Sequence, residues 1–192
     1  VEQAHALSKA MGFSRFQLKK TQRFLNWKTG ELRDSTPVHN NHGEVVRHLE
    51  LPTDAAMVNH AIASEILQKV EQFGSMDAYY DQCSIRCKAS TDREVYISAE
   101  GYVLPCCWLA GHVYNDMADR DRELVGMLER IGLTLADLKL GPKNTLDDVI
   151  NNRLFAEALP ASFTQLSLRA GKMRTCAKAC GSEENAFRSQ FC

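Results

Sequence analysis

The distribution of seven cysteines constrains this 192-residue chain more than any other feature of its sequence. The first 82 residues contain none, and the others stand at Cys83, Cys87, Cys106, Cys107, Cys176, Cys180 and Cys192. Disulfide frameworks are typical of small secreted domains, but residues 1–11 lack the basic and apolar regions of a signal peptide. Clustered thiols in a reducing compartment more often bind a metal. We therefore expect a cytoplasmic chain with a thiolate site.

Composition excludes several other classes of protein. Hydrophobic residues make up 44% of the chain, which is enough for a buried core. The 23 basic and 24 acidic residues give a net charge of −1, so no long-range attraction to nucleic acid or to an anionic membrane is expected. No apolar run approaches the roughly 20 residues that span a bilayer. We expect neither a nucleic-acid partner nor a membrane partner.

The first 25 residues predict one helix followed by one strand. Ala4, Leu7 and Met11 recur at helical spacing, with Gly12 where a C-terminal cap belongs. Residues 15–19 alternate polar and apolar side chains, as a short strand does. A single αβ unit cannot close a sheet. We expect residues 1–25 to be the tail of a larger α/β domain, a TIM-like barrel or a doubly wound sheet, whose remainder is absent.

Residues 26–82 predict a linker and a helix. Gly30, Pro37, Gly43 and Pro52 punctuate a polar stretch that indicates a long loop. Thr53 or Asp54 then caps an amphipathic helix that runs to about Phe73. The expected apolar face of this helix consists of Met57, Ile62, Ile66, Leu67 and Val70.

Residues 83–192 predict a second region of hairpin and helices, which makes the fold class α+β. Residues 94–98 and 102–104 are rich in strand formers and flank a turn at Gly101. Two further helices are expected near residues 119–131 and 145–158. Thr145 and Asp148 resemble a capping box at the start of the second of these helices.

Four of the thiols can approach one centre. Cys87 precedes the predicted hairpin and Cys106 follows it, so both thiols belong at its open end. Cys176 and Cys180 are separated by three residues and can face one centre from a single turn. Four thiolates from two distant segments suit either a four-iron cubane or a tetrahedral zinc ion.

The residues around this quartet resemble a known family. The stretch C-KASTDREVYISAE-G-YVLP-C, from Cys87 to Cys106, is similar to the opening motif of SPASM and twitch domains, which form the C-terminal part of radical SAM enzymes. The segments TLDDVINNRLF and CAKACG are also similar to family segments. The resemblance covers roughly residues 83–181. It implies one auxiliary [4Fe–4S] cluster held by Cys87, Cys106, Cys176 and Cys180, with a role in electron transfer or substrate positioning and with a peptide, protein or small molecule as substrate.

The chain departs from the family in one important respect. The radical SAM core needs Cys-x3-Cys-x2-Cys, whereas Cys83, Cys87 and Ser90 place serine at the third position. S-adenosylmethionine is therefore expected only with the missing barrel, on the same polypeptide or on a separate chain. We predict that this chain alone is inactive in cleaving it.

Alternatives for the ligands and for the function remain open on sequence alone. Cys83 can substitute for Cys87, Cys107 can substitute for Cys106, and Cys192 can bind if the chain folds back. The same four thiols suit a structural zinc module with Zn²⁺ in place of the cluster. A thiol-redox protein that uses Cys176 and Cys180 is a further alternative, although the usual redox motif has a spacer of two residues.

Overall fold

A computed structural model describes residues 2–17, 21–40, 42, 44–114 and 123–181. Helices and short two-stranded sheets together make a mixed α+β architecture, as the sequence predicts. The chain divides into two compact units, Val1–Met76 and Asp77–Cys192. No helix in the described ranges is long and apolar enough to cross a membrane.

The first unit contains two helices and one hairpin. Its elements are α1 (Glu2–Ala10), β1 (Ser35–His39), β2 (Val45–Glu50) and α2 (His60–Phe73). The predicted N-terminal helix is thus confirmed, and Gly12 follows it with a left-handed φ of 78°. Residues 15–17 do not form the predicted strand, and residues 18 and 19 lie outside the described residues. A strand needs a neighbour to pair with, and none of the described residues pairs with 15–17.

The hairpin β1–β2 replaces the loop that the sequence predicted over residues 26–52. Its strands pair antiparallel, with Thr36 opposite Leu49, Pro37 opposite His48, and a register shift at Val38. Pro37 lacks a backbone N–H, and it argued against a strand for that reason. In a sheet of only two strands, however, each strand has an open edge, where proline is tolerated.

Helix α2 begins later than its sequence predicted. The Asp54 side chain accepts a hydrogen bond of 2.9 Å from the Ala56 N–H and caps a short 3₁₀ turn, Ala55–Met57. The backbone is extended at Val58, and the α-helix starts only at His60. Its end at Phe73 is as predicted. Of the predicted apolar face, Ile62 and Ile66 are buried but Leu67 and Met57 are about half exposed.

The second unit carries every cysteine of the chain. Its elements are α3 (Met76–Gln82), α4 (Lys88–Asp92), β3 (Tyr96–Ile97), β4 (Val103–Leu104), α5 (Cys107–Tyr114), α6 (Glu123–Arg130), α7 (Leu146–Ile150), α8 (Leu159–Phe163) and α9 (Arg174–Cys180). Its core draws on strand β4 and five of these helices, and the residues at its centre are Val103, Leu104, Leu109, Leu124, Leu128, Leu138, Val149, Leu154, Leu159 and Cys176.

The predicted hairpin is confirmed as β3–β4. Tyr96 pairs with Leu104 and Ile97 pairs with Val103. The turn closes through a hydrogen bond of 3.0 Å from the Gly101 N–H to the Ser98 carbonyl. Gly101 has a φ of 85°, which other residues rarely adopt. Both side chains of β4 are fully buried, so the hairpin anchors the Cys106 segment to the core.

The helix predicted over residues 145–158 is interrupted. The capping box is confirmed, because the Thr145 hydroxyl accepts from the Asp148 N–H at 3.2 Å and the Asp148 carboxylate accepts from the Thr145 N–H at 2.8 Å. Helix α7 nevertheless stops at Ile150. The Asn152 side chain then accepts a hydrogen bond from the Leu154 N–H and restarts the chain in a wider π-helical turn, Leu154–Ala158. Of the helix predicted over residues 119–131, the structure describes α6, and residues 119–122 lie outside the described residues.

Candidate functional site

Four thiols line one narrow cavity in the second unit. They are those of Cys87, Cys106, Cys176 and Cys180, the same four that the sequence predicted as ligands. The cavity holds about 10 Å³, roughly the space for one water molecule. The structure therefore brings the four residues together, from three segments that are far apart in sequence.

Three local features position the four thiols. Cys87 directly precedes α4, and a helix rather than the start of the hairpin follows it. Cys106 lies between β4 and α5, where a buried strand leads into a helix. Cys176 and Cys180 are four residues apart on α9, so they lie on one face of that helix. Cys176 is buried, and the other three are half-buried.

Backbone contacts fix the relation between α9 and the Cys87 segment. The Arg86 N–H donates to the Cys180 carbonyl at 3.1 Å, which places the residue before Cys87 beside the end of the helix. Gly181 follows at once. A Cβ on Gly181 would lie 1.9 Å from the Ala177 carbonyl oxygen, so only glycine fits there without a shift of the backbone. Glycine at position 181 therefore allows α9 to end directly after Cys180.

A wider cleft of about 660 Å³ adjoins the narrow cavity. The two share Cys87, Cys106 and Cys180 in their linings, and Trp108 borders both. The exposed thiol of Cys107 lines only the cleft. Cys87, Cys106 and Cys180 thus face both spaces, whereas Cys176 lines only the narrow cavity, and the cleft has room for a group larger than a water molecule.

Burial and neighbouring charges disfavour the thiolate forms of Cys176 and Cys106 when no cation is present. Burial raises the pKa of Cys176, and the nearby sulfurs of Cys106, Cys87 and Cys180 and the Glu123 carboxylate raise it further. Burial also raises the pKa of Cys106, although the backbone N–H groups of Leu109 and Trp108 act in the opposite direction. A positive group bound at the site would offset the repulsion among the sulfurs.

The described side chains do not form a ready-made site for a single metal ion. In the part of the chain that the structure describes, no three His, Cys, Asp or Glu side chains are arranged to hold one metal ion. Four sulfurs bound to one zinc ion lie only ~3.8 Å apart, since each Zn–S bond is about 2.3 Å. A cubane spaces its four cysteine sulfurs more widely, because each of them caps a different iron.

Of the remaining cysteines, Cys107 lines only the cleft, Cys83 lies apart from the quartet, and Cys192 lies outside the described residues. Cys83 is buried at the end of α3, where its sulfur is 3.4 Å from the Tyr79 carbonyl oxygen, and it lines neither the cavity nor the cleft. The geometry therefore favours Cys87 over Cys83 as a member of the quartet.

Two polar contacts between distant parts of the sequence position the site, and the sequence alone does not predict them. Glu123 caps the N-terminus of α9, and the Lys172 ammonium group binds carbonyls at the end of α3. Both residues are distant in sequence from their partners, and neither has a neighbouring motif. Only the three-dimensional packing reveals them.

Comparison with protein-family models, with curated proteins and with solved structures yields no match for this chain.

Proposed function

We propose that the chain binds one auxiliary [4Fe–4S] cluster through Cys87, Cys106, Cys176 and Cys180, as the C-terminal portion of a radical SAM enzyme. The observation that carries the proposal is the shared cavity of these four thiols. They reach it from three segments, and an apolar core holds the β4 and α5 side of the site. The resemblance of the Cys87–Cys106 stretch to SPASM and twitch domains adds an independent reason from sequence.

The family resemblance favours a cluster over a single zinc ion. All four thiols line one cavity, and no three His, Cys, Asp or Glu side chains among the described residues are arranged to hold one ion. The adjoining cleft of about 660 Å³ offers space that a lone ion does not need. Four thiolates also match the usual ligand set of a [4Fe–4S] cluster.

The pKa directions argue against a thiol-redox protein. Reactive cysteines are activated by a lowered pKa. The pKa of Cys176 is instead raised by burial and by the neighbouring sulfurs. Cys176 is also buried, which restricts the approach of a disulfide substrate.

A bound cluster would supply one-electron transfer. The four cysteines would cap every iron, and no position would then be open for substrate, so electron transfer is favoured over direct ligation of a substrate. Trp108 borders the cavity and can limit the access of water. Proton release accompanies binding, because protonated thiols must become thiolates.

Reductive titration tests this function directly. Anaerobically reconstituted protein should lose visible absorption on addition of about one electron per chain and should develop the EPR signal of a reduced cluster. The matched control is Cys106→Ala combined with Cys176→Ala, which should show neither change. A reconstituted wild-type protein that binds zinc and accepts no electron would contradict the proposal.

A further inference from the structure

The N-terminus of α9 is capped by a residue from another helix. The residue that precedes α9, Met173, has no side chain able to cap it. Glu123, the first residue of α6, takes that role. Its Oε1 accepts from the Arg174 N–H, and its Oε2 accepts from the Thr175 N–H at 3.0 Å. A carboxylate at this end of a helix satisfies unpaired amides and complements the helix dipole.

A second chain of hydrogen bonds extends from Glu123 to α5. The Thr175 hydroxyl lies 2.7 Å from Glu123 Oε2 and 2.8 Å from His112 Nε2. An ionised carboxylate can only accept, so the hydroxyl donates to Glu123 and accepts from His112. His112 therefore carries a proton on Nε2. Its Nδ1 atom is buried and has no hydrogen-bond partner in the described structure.

This network joins α9, which carries two of the four thiols, to α5, which directly follows a third. His112 lies on α5, which starts directly after Cys106. Thr175 precedes Cys176 on α9 and itself lines the narrow cavity. Glu123 is largely shielded from solvent, with 17% of its side chain exposed, so its hydrogen bonds compete little with water. This carboxylate thus links the helix that follows Cys106 to the helix that carries the other two thiols.

We propose that Glu123 is a positioning residue of the thiol site, which holds α5 and α9 together through Thr175 and His112 and makes a bound cluster harder to reduce. The second half of this inference rests on the proposed function. Glu123 Oε2 accepts from the N–H of Thr175, the residue directly before Cys176, so its negative charge lies beside the site and opposes an added electron. Net charge near the site and contacts beyond the ligands are established determinants of cluster potential and metal retention.

Two variants distinguish the positioning role of Glu123 from the effect of its charge. Glu123→Gln removes the charge and weakens the cap, whereas Thr175→Val removes the link to His112 and leaves the charge in place. Glu129→Gln is the matched control, because Glu129 lies on the same helix, is exposed and is not part of the α9 cap. Circular dichroism of each variant establishes that it is folded before the comparisons are made.

Amide hydrogen exchange of α9 in the metal-free protein tests the positioning role without any cluster. Glu123→Gln and Thr175→Val should both accelerate exchange over residues 174–180, and Glu129→Gln should not. Exchange that is equal in all three variants would overturn the positioning role. This outcome is distinct from failure of the proposed function, which would show as a wild-type protein that takes up no iron or sulfide.

Two measurements on the reconstituted protein test the effects of Glu123 on cluster retention and on cluster potential. Iron release to a chelator should be about tenfold faster in Glu123→Gln than in Glu129→Gln. The midpoint potential should rise in Glu123→Gln and change less in Thr175→Val, which keeps the carboxylate. Equal potentials in Glu123→Gln and Glu129→Gln would overturn the effect assigned to the charge.

Discussion

The ammonium group of Lys172 is buried against backbone carbonyls. Its Nζ donates to the carbonyl oxygens of Asp81 at 2.6 Å, Cys83 at 3.0 Å and Tyr80 at 3.4 Å. These carbonyls lie at and just beyond the end of α3, where a cation is favoured by the helix dipole. Lys172 also stands two residues before α9. At the scale of single residues, it ties the start of the thiol-bearing helix to the segment that leads to Cys87.

Replacement of Lys172 by methionine should destabilise the metal-free protein. The side chain keeps its bulk, but three carbonyls lose their donor, which costs about 1–3 kcal/mol for a buried group. Urea unfolding measures the change. Lys143→Met is the control, because Lys143 is exposed, and it should change stability by less than about 0.5 kcal/mol. Equal effects of the two variants would show that the carbonyl contacts of Lys172 are not stabilising.

Single cysteine replacements should distinguish the proposed cluster ligands from the other cysteines. Cys87→Ala, Cys106→Ala, Cys176→Ala and Cys180→Ala should each reduce bound iron to below about half of the wild-type content, because a lost ligand weakens both binding and folding. Cys83→Ala and Cys107→Ala are the matched controls and should retain most of the iron. Iron loss in Cys107→Ala but not in Cys106→Ala would show that the site uses the exposed neighbour instead.

At the scale of elements, the short helix α7 depends on its capping box. Hydrogen bonds from the Thr145 hydroxyl and N–H lower the pKa of Asp148 below its usual value of 3.8. The charged carboxylate therefore adds stability that is fully present above pH 3.8. That stability is lost as the pH falls through the lowered pKa of the folded protein.

Replacement of Asp148 by alanine should thus lower the melting temperature at pH 7. The difference in melting temperature from the wild type should decrease as the pH falls below 3.8. Thermal denaturation over a pH series measures this dependence. Asp147→Ala removes the same charge from the same turn but leaves the capping box intact, so it should have a smaller effect at pH 7. Equal effects of both variants at every pH would exclude the cap as the cause.

Local sequence signals predicted the elements that they control. Gly101 between two β-rich runs predicted the β3–β4 hairpin, and Thr145 with Asp148 predicted the start of α7. The end of α7 depends on Asn152 and its bond to the Leu154 N–H, a competing contact that hydrophobic periodicity does not register. The β1–β2 hairpin was missed because Pro37 and the polar composition indicated a loop, and its strands STPVH and VVRHLE do not alternate polar and apolar residues.

At the scale of the whole molecule, spacing within the sequence predicted which thiols meet but not how they are held. Cys87 and Cys106 flank a hairpin, and Cys176 and Cys180 lie on one helical turn, so the proximity within each pair follows from local geometry, whereas the meeting of the two pairs depends on packing. Their supports do not follow from local geometry either, because Glu123 and Lys172 bind residues more than 50 positions away. Contacts of this range depend on packing of the whole unit, for which a single sequence carries no local signal.

The central claim is that four thiols from three segments hold one [4Fe–4S] cluster. Its most direct test is the iron and acid-labile sulfide content of the anaerobically reconstituted chain, measured beside its zinc content. We expect about four irons and four sulfides per chain, and essentially no zinc. About one zinc per chain, with no sulfide, would contradict it and would assign the four thiols to a structural metal site.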